Sequence, residues 1–368
     1  MRLRSLDVFR GLTMAAMVIV NNPGDWNAVY APLLHAAWHG WTPTDLIFPA
    51  FLFIMGASMA LGDPARLAPA TVLRRGAVLV ALGLFLSGFP YFNPARWRIP
   101  GVLQRIGVCY VAAVFVWQAL ASRRDAEATT RRLAGAIAFC LLGYWALIAL
   151  VAPPGGVAGD LTAEGNLGAW LDRAVFGTHL WKTTWDPEGL LSSWPAVGTT
   201  LMGVMAGAWI GRARPLCVAP SLVITGAVAL MVGRAWHAVF PINKALWTSS
   251  YALATGGAAM LMLGLLHRRL DDGRSTAWLD RLTEPFAILG RNALVLFVVS
   301  GLVAKLMIVL TVPGPAGTLV PLQRWLYEAA FAPLGPPKVT SLLYAVATLG
   351  MFYGLLVRQH RRRLYWSV

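Results

Sequence analysis

A chain of 368 residues in which 57% are apolar and only 13% charged does not describe a soluble globule; it describes a polytopic membrane protein. The formal net charge of +15 follows from an asymmetry between loops and needs no nucleic-acid partner. Cys109, Cys140 and Cys217 lie within or beside apolar segments, so the cysteines suggest neither disulfides nor a zinc site.

In chain order, apolar windows fall near residues 8–24, 43–62, 72–90, 101–120, 133–152, 191–210, 216–234, 248–266, 285–310 and 338–357. Each has roughly the 17 to 25 residues a helix needs to cross the hydrocarbon layer. Continuous apolarity without strict alternation argues for helices over a barrel. The expectation is an all-α, polytopic transmembrane helix bundle of about ten spans (10–11), forming a single domain over residues 1–368. Asp7 and Arg10 precede the first apolar run and no small-residue cleavage site follows it, so the first span reads as retained.

Arginine alternates along the chain. Every second loop is basic: Arg2 and Arg4; Arg66, Arg74 and Arg75; Arg123, Arg124, Arg131 and Arg132; Arg212 and Arg214; Arg268, Arg269, Arg274 and Arg281; then Arg358, Arg361, Arg362 and Arg363. The opposite loops hold few cations, with Arg96, Arg98, Arg173, Lys182, Lys244, Arg324 and Lys338 as exceptions. Cations stay on the cytoplasmic side, so both termini, Met1 and Val368, are expected inside. The longest outer loop, 152–190, carries NLGAWLDRAVFG with the spacing of a short amphipathic helix.

The first outer loop runs into the second span through HAAWHGWTPTDLIFPAFLFIMG, with His35 ten residues ahead of Asp45. An ionisable group at the edge of a span must face water, a partner or a cavity. Histidine there can act as general base or nucleophile, and a carboxylate within reach would fix its tautomer. The alternative is an interfacial belt of His35, Trp38, His39 and Trp41, since Trp collects at membrane surfaces anyway. Asn21, Asn22, Gln104, Arg105, Arg234, Arg291, Asn292 and Lys305 lie within spans, paired with neighbours or lining a polar interior.

Several blocks occur in a fixed order: RLRSLDVFRGLTMAAMVIVNNPG, LLHAAWHGWTPTDLIFPAFLFIMGAS, RIPGVLQRIGVCY, WDPEGLLSSWPAVGTTLMGVMAG, FPINKALWTSSY and PFAILGRNAL from Pro285. Together they resemble the heparan-α-glucosaminide N-acetyltransferase family, over about residues 1–300. The resemblance implies transfer of acetyl from cytosolic acetyl-CoA across the membrane to the amino group of a glucosamine-type sugar or glycan, with no metal. It places the catalytic histidine at His35 and assigns Asn21 and Asp45 to the same site. The sequence differs from the lysosomal pattern in lacking the long luminal region before the first span and in having about one span fewer, so processing and the extra luminal contacts to a polysaccharide are not carried over; a multi-pass protein of a bacterial inner membrane, with a homodimer open to it, is the expectation.

Within that reading Asp45 orients His35 or holds the acceptor ammonium, and Asn21 donates to the developing oxyanion. Arg10, Arg105 and Arg291 are candidates for the coenzyme A phosphates, because a guanidinium matches phosphate oxygens with a planar fork of donors; helix-end anchoring explains each one singly. About eleven of the sixteen Trp lie at the outer face, and Trp38, Trp41, Asp186, Glu188, Asn243 and Lys244 are the candidate sugar-binding groups. The competing class is an amino-sugar (N-acetylglucosamine) transporter that uses the same polar interior for passage.

Overall fold

A computed structural model describes residues 3–62, 67–122, 125–212, 215–273, 275–314 and 318–361. Met1, Arg2, Arg66, Arg123, Arg124, Arg214, Arg274, Arg362, Arg363 and Val368 lie outside the described residues. The chain is helical, as expected. It runs through α1 (Arg4–Asn21), α2 (Ile47–Leu61), α3 (Pro69–Gly88), α4 (Val102–Leu120), α5 (Ala126–Leu150), α6 (Leu167–Phe176) and α7 (Ser193–Arg212). It continues through α8 (Pro215–Trp236), α9 (Ser249–Leu270), α10 (Ala277–Arg291) and α11 (Ala293–Val309). A short hairpin of β1 (Thr311–Pro313) and β2 (Leu319–Pro321) then leads to α12 (Leu322–Ala330) and α13 (Pro337–Arg361).

Local chemistry sets the helix ends. Asp125, Asn166 and Thr276 accept the backbone N–H of Ala128, Ala169 and Leu279, capping α5, α6 and α10. Pro69 opens α3, where a missing N–H costs nothing. The amphipathic segment in the long outer loop is α6, and Gly177 with φ +56° ends it.

Among the described residues, seven helices are long and apolar enough to cross a membrane: those in α2, α3, α4, α5, α8, α9 and α13. The window expected at 285–310 is not one straight span. It is α10 and α11, bent by 73° at Asn292, and counts as an eighth crossing only as a pair. Apolarity runs straight through this break, so periodicity hides it. Its cause is contact: a Cβ on Gly290 would lie 1.9 Å from the Asp7 carbonyl oxygen, and one on Gly11 1.7 Å from that of Phe286. The two glycines let α10 lie directly on α1. The first and sixth windows are helices too, α1 and α7, but Arg4, Asp7 and Arg10 in α1 and the Gly, Ser, Thr and Trp of α7 keep both outside the seven.

The spanning windows of α2 and α9 are 61% and 67% buried, that of α3 only 17%. With α7, the first two make the centre, where Leu52, Phe53, Leu201, Val204, Tyr251 and Met260 are closed off from solvent. Lipid tails are as apolar as leucine, so helices associate in a membrane through close packing rather than through water exclusion. α2 and α7 achieve this with glycine: a Cβ would stand 2.1 Å from Thr200 O at Gly56, 2.0 Å from Phe53 O at Gly203 and 2.3 Å from Ala57 O at Gly207.

Loops far apart in sequence meet at one end of this bundle. Ile99 N–H donates to His179 O at 3.0 Å, Trp38 Nε1–H to Leu161 O at 2.8 Å, Gly40 N–H to Ile242 O at 2.7 Å and Gly24 N–H to Ser341 O at 3.2 Å. The connections after α1, α3, α5 and α8, all assigned to the outer face by the arginine pattern, thus form one layer.

Replacing Gly203 by Leu should force α2 and α7 apart. Overpacking costs about 1–3 kcal/mol even where neighbours yield, and here the neighbour is backbone. Thermal unfolding in detergent should show a lower midpoint than wild type, and an unchanged midpoint would mean that the close crossing is not what holds the centre.

Candidate functional site

The second spanning segment begins with a 3₁₀ turn, Pro43–Leu46, preceded by Thr42. Thr42 and Asp45 form a reciprocal cap in which the Thr42 N–H donates to Asp45 Oδ2 at 2.9 Å, while the Thr42 hydroxyl donates to Leu34 O at 2.6 Å. The loop before the turn is therefore folded back over it. Ala36 N–H reaches Asp45 Oδ2 at 3.1 Å and His35 Nδ1 reaches Asp45 Oδ1 at 2.7 Å. An ionised carboxylate only accepts, so Nδ1 carries the proton and the Nε2 lone pair is left free. The His35 side chain is 51% exposed while that of Asp45 is 1% exposed: an accessible imidazole stands on a buried anchor.

The third member comes from the turn between α8 and α9. Lys244 Nζ lies 3.0 Å from His35 Nδ1, 3.1 Å from Nε2 and 3.6 Å from Asp45 Oδ1. An amine nearly equidistant from both ring nitrogens lies along neither lone pair; it stands over the ring. Burial lowers the Lys244 pKa from the ordinary lysine range, while the charges of Asp45 and Glu188 work the other way. Asn243, fully buried, shapes the turn by accepting the Leu246 N–H at 2.9 Å and donating its own N–H to Thr248 Oγ1 at 3.0 Å. Trp247 closes it with a left-handed φ of +48°, costly for a bulky residue, and its indole Nε1–H donates to Thr199 Oγ1 at 3.2 Å.

These groups line a cavity of about 400 Å³. Met17, Phe51 and Phe297 make its apolar floor, Asn21 lines it from the end of α1, and Trp38, Trp181, Trp185 and Glu188 face it from the loops. Trp38 and Trp185 meet edge to face at 5.1 Å. Arg98 ties this wall together. It donates Nε–H and Nη2–H to the two oxygens of Asp186 at 2.8 and 2.5 Å, and it also pairs with Glu188 and lies 5.0 Å from the Trp181 ring. Burial works against the Arg98 cation, but the two carboxylates hold its pKa above the ordinary value.

Of the residues expected at the site, His35, Asp45, Asn21, Trp38, Glu188 and Lys244 meet at this cavity. Asp186 and Asn243 stand behind it as supports. Trp41 packs against the core, with the Arg234 guanidinium 5.9 Å from its ring. The three arginines separate into two places. Arg10 and Arg291 flank Asp7 at 3.5 and 3.6 Å, and Arg10 donates to Ser58 Oγ at 2.6 Å. Arg10 and Asn21 are eleven positions apart on α1, about 16 Å of helix. Arg105 belongs to the loop end: it is buried, donates to Gly189 O at 3.0 Å and to Ser192 Oγ, and lies 5.0 Å from the Trp247 ring. Arg98 was not singled out from the sequence. Its signal was there, as a cation in a loop class that otherwise has few. Among the described residues no group of three or more His, Cys, Asp or Glu could hold a metal ion.

Fold and site together define a multi-pass helical membrane protein in which a histidine, held by a buried carboxylate under a lysine, opens into a cavity roofed by loops. Comparison with known proteins carries this further. Residues 2–150, from α1 to the end of α5, match the family model described as heparan-α-glucosaminide N-acetyltransferase, catalytic. The heparan-α-glucosaminide N-acetyltransferase of Mus musculus is 28% identical over 358 residues, covering 81% of this chain and 53% of the relative. That of Homo sapiens is 28% identical over 355 residues, covering 81% and 52%. The resemblance seen in the ordered blocks is thereby borne out, and the chain spans about half the length of these curated relatives.

Behind the roof, the carboxyl of Asp172 on α6 accepts the Leu190 N–H at 2.7 Å. Burial, and then the neighbouring Asp186, push its pKa up to about 6. An acid whose folded pKa is raised destabilises the fold when ionised; the penalty is full above about pH 6 and is relieved as pH falls toward the ordinary carboxylate range. This group should therefore add up to about 1.4 kcal/mol of stability per pH unit below that point. Asp172→Asn should remove that share, and melting curves of both proteins with equal slopes between about pH 7 and 5 would refute it.

Proposed function

We propose that the protein is a membrane N-acetyltransferase that moves acetyl from acetyl-CoA to the amino group of a glucosamine-type sugar or glycan. The observation that carries the reading is the 2.7 Å contact between His35 Nδ1 and the buried Asp45, which leaves Nε2 facing a cavity large enough for a sugar. Acyl transfer from a thioester donor needs deprotonation and positioning of the amine and no Lewis acid, since the thiolate leaves readily. His35 Nε2 takes the proton of the attacking amine or carries the acetyl itself; Asp45 stabilises the imidazolium; Asn21 faces the same space as donor to the oxyanion. Trp38, Trp181 and Trp185 offer aromatic faces to a sugar ring and Glu188 a polar edge.

In this reading the coenzyme A phosphates lie at the Arg10 and Arg291 end, where two guanidinium groups share one carboxylate. Arg105 acts instead on the loop end, holding the Gly189–Ser192 turn. The cavity faces the periplasm, the termini lie in the cytoplasm, and ten crossings in a single domain of a bacterial inner membrane complete the topology. The arginine alternation supports this orientation. A bent pair such as α10 and α11 is also a feature of transporters, whose binding sites use broken helices, so passage of an amino sugar is the reading to test against.

His35→Ala should abolish acetyl transfer in a folded protein. Loss of a general base alone leaves a residual about 10² to 10⁴ below wild type, whereas loss of an obligatory nucleophile leaves almost none; Asp45→Asn should impair the reaction strongly. The assay is reconstituted protein with labelled acetyl-CoA on one side and glucosamine or a glucosamine-ended glycan on the other, reading free coenzyme A and acetylated sugar together. Flux of N-acetylglucosamine without acetyl-CoA, unchanged by His35→Ala, would replace the enzyme with a permease. An impermeant thiol reagent should label a cysteine placed at Lys182 from outside the cell; labelling only from the cytoplasmic side would invert the topology.

A further inference from the structure

Four lysines occur in the chain, Lys182, Lys244, Lys305 and Lys338, and its other 27 cationic side chains are arginine. Lys182 and Lys338 are exposed. Lys305 is occupied, donating to the carbonyl of Phe89 at 3.0 Å and to that of Leu86. Lys244 alone borders the cavity, and it stands at the one imidazole that has a free ring nitrogen there. Arginine would neutralise Asp45 equally well and cannot be deprotonated. Lysine can lose its proton, and the free amine is a nucleophile.

The geometry points to a modification site: we propose that Lys244 Nζ accepts the acetyl group itself when acetyl-CoA is bound and no acceptor sugar fills the cavity. The inference rests on the acetyl-transfer reading. A general base must lie within hydrogen-bond reach of the proton it takes, and Nζ is 3.1 Å from His35 Nε2. In the step, the thioester C–S bond breaks and an amide C–N bond forms on Nζ. The amine proton passes to His35 Nε2 and from there to the departing thiolate, so the products are N-acetyl-lysine and free coenzyme A. Burial, which lowers the Lys244 pKa, increases the fraction of free amine at neutral pH.

The consequence is self-limitation. Acetyl-lysine carries no charge, so Asp45 loses the ammonium 3.6 Å away and the amide fills space that the sugar needs. A sugar amine in the cavity competes for the same acetyl group and protects the residue. The protein would thus lose competence when donor is plentiful and acceptor is missing.

The test is peptide mapping of the reconstituted full chain after incubation with isotope-labelled acetyl-CoA and no sugar, with free coenzyme A measured in parallel. Lys244 should take up label at least about tenfold faster than the exposed Lys182 and Lys338, because its amine is held at the reaction centre. Added glucosamine should slow the labelling, and His35→Ala or prior denaturation should bring Lys244 down to the level of the other two. Equal labelling of the three lysines in a preparation that acetylates added glucosamine would overturn the Lys244 proposal and leave the acetyltransferase intact. A preparation that releases no coenzyme A with or without sugar, and puts no label on Lys244, would overturn acetyl transfer and the proposal with it.

Discussion

An ionised carboxylate at the head of a membrane helix is the constraint around which the rest of the site is arranged. Burying Asp45 in isolation would be prohibitive, and neutralising it would forfeit the acceptor that holds His35. The chain solves this with two backbone N–H groups, an imidazole and an ammonium, from Ala36, Thr42, His35 and Lys244. Each partner constrains a segment. Ala36 and Thr42 fold the loop before α2 back over the helix start. Lys244 draws the α8–α9 turn across, and Tyr251 of α9 fixes the same position from below by donating its hydroxyl to the Asp45 carbonyl at 2.6 Å. His35 is thus located by the demands of a buried neighbour.

A second ion cluster performs the same service for the opposite wall. Arg98 leaves the α3–α4 loop and meets Asp186 and Glu188 of the loop before α7, so two stretches of the roof are cross-linked by charge. Asp186 also accepts the Trp181 and Glu188 N–H groups at 2.7 and 2.9 Å, which makes its carboxylate the hub of the WDPEG turn. The Arg98 guanidinium is thus shared between two carboxylates, of which Glu188 lines the cavity.

How much of this was legible in the sequence depends on the range of the interaction. Helices came through nearly intact, because a span announces itself by local apolarity. The His35–Asp45 pair came through because both residues sit in one loop, ten positions apart, with a T-x-x-D cap between them. Pairings between distant loops did not. Lys244 lies 209 residues from His35 and Arg98 lies 88 from Asp186, and no periodicity links residues across such gaps. Lys244 was expected among the sugar-binding groups, and its position at His35 was not. Arg105 was grouped with Arg10 and Arg291 because all three occupy family-like blocks near the ends or polar interior of spans; its position at the loop end depends on which way α4 runs and which neighbour it meets. The bend at Asn292 escaped for the opposite reason: its residues are apolar on both sides, and its cause is contact with α1.

That bend bears on how two ends of one bundle can serve one reaction. α1 carries Arg10 near its start and Asn21 at its finish, and its N-terminus is held by Asp271, which accepts the Arg4 and Ser5 N–H groups at 3.0 and 3.3 Å. α10 lies on α1 through Gly11 and Gly290, putting Arg291 beside Asp7. Past the break, α11 turns away and brings Phe297 into the floor of the cavity next to Met17 of α1. A straight helix through 277–309 could not do both, because a rod that stayed against α1 along its length would close the space in which Met17, Asn21 and Phe297 meet. The break therefore lets one stretch of chain supply a cation to one end of the bundle and an apolar wall to the other. α1 is the axis common to both ends, with Arg10 near its start and Asn21 at its finish.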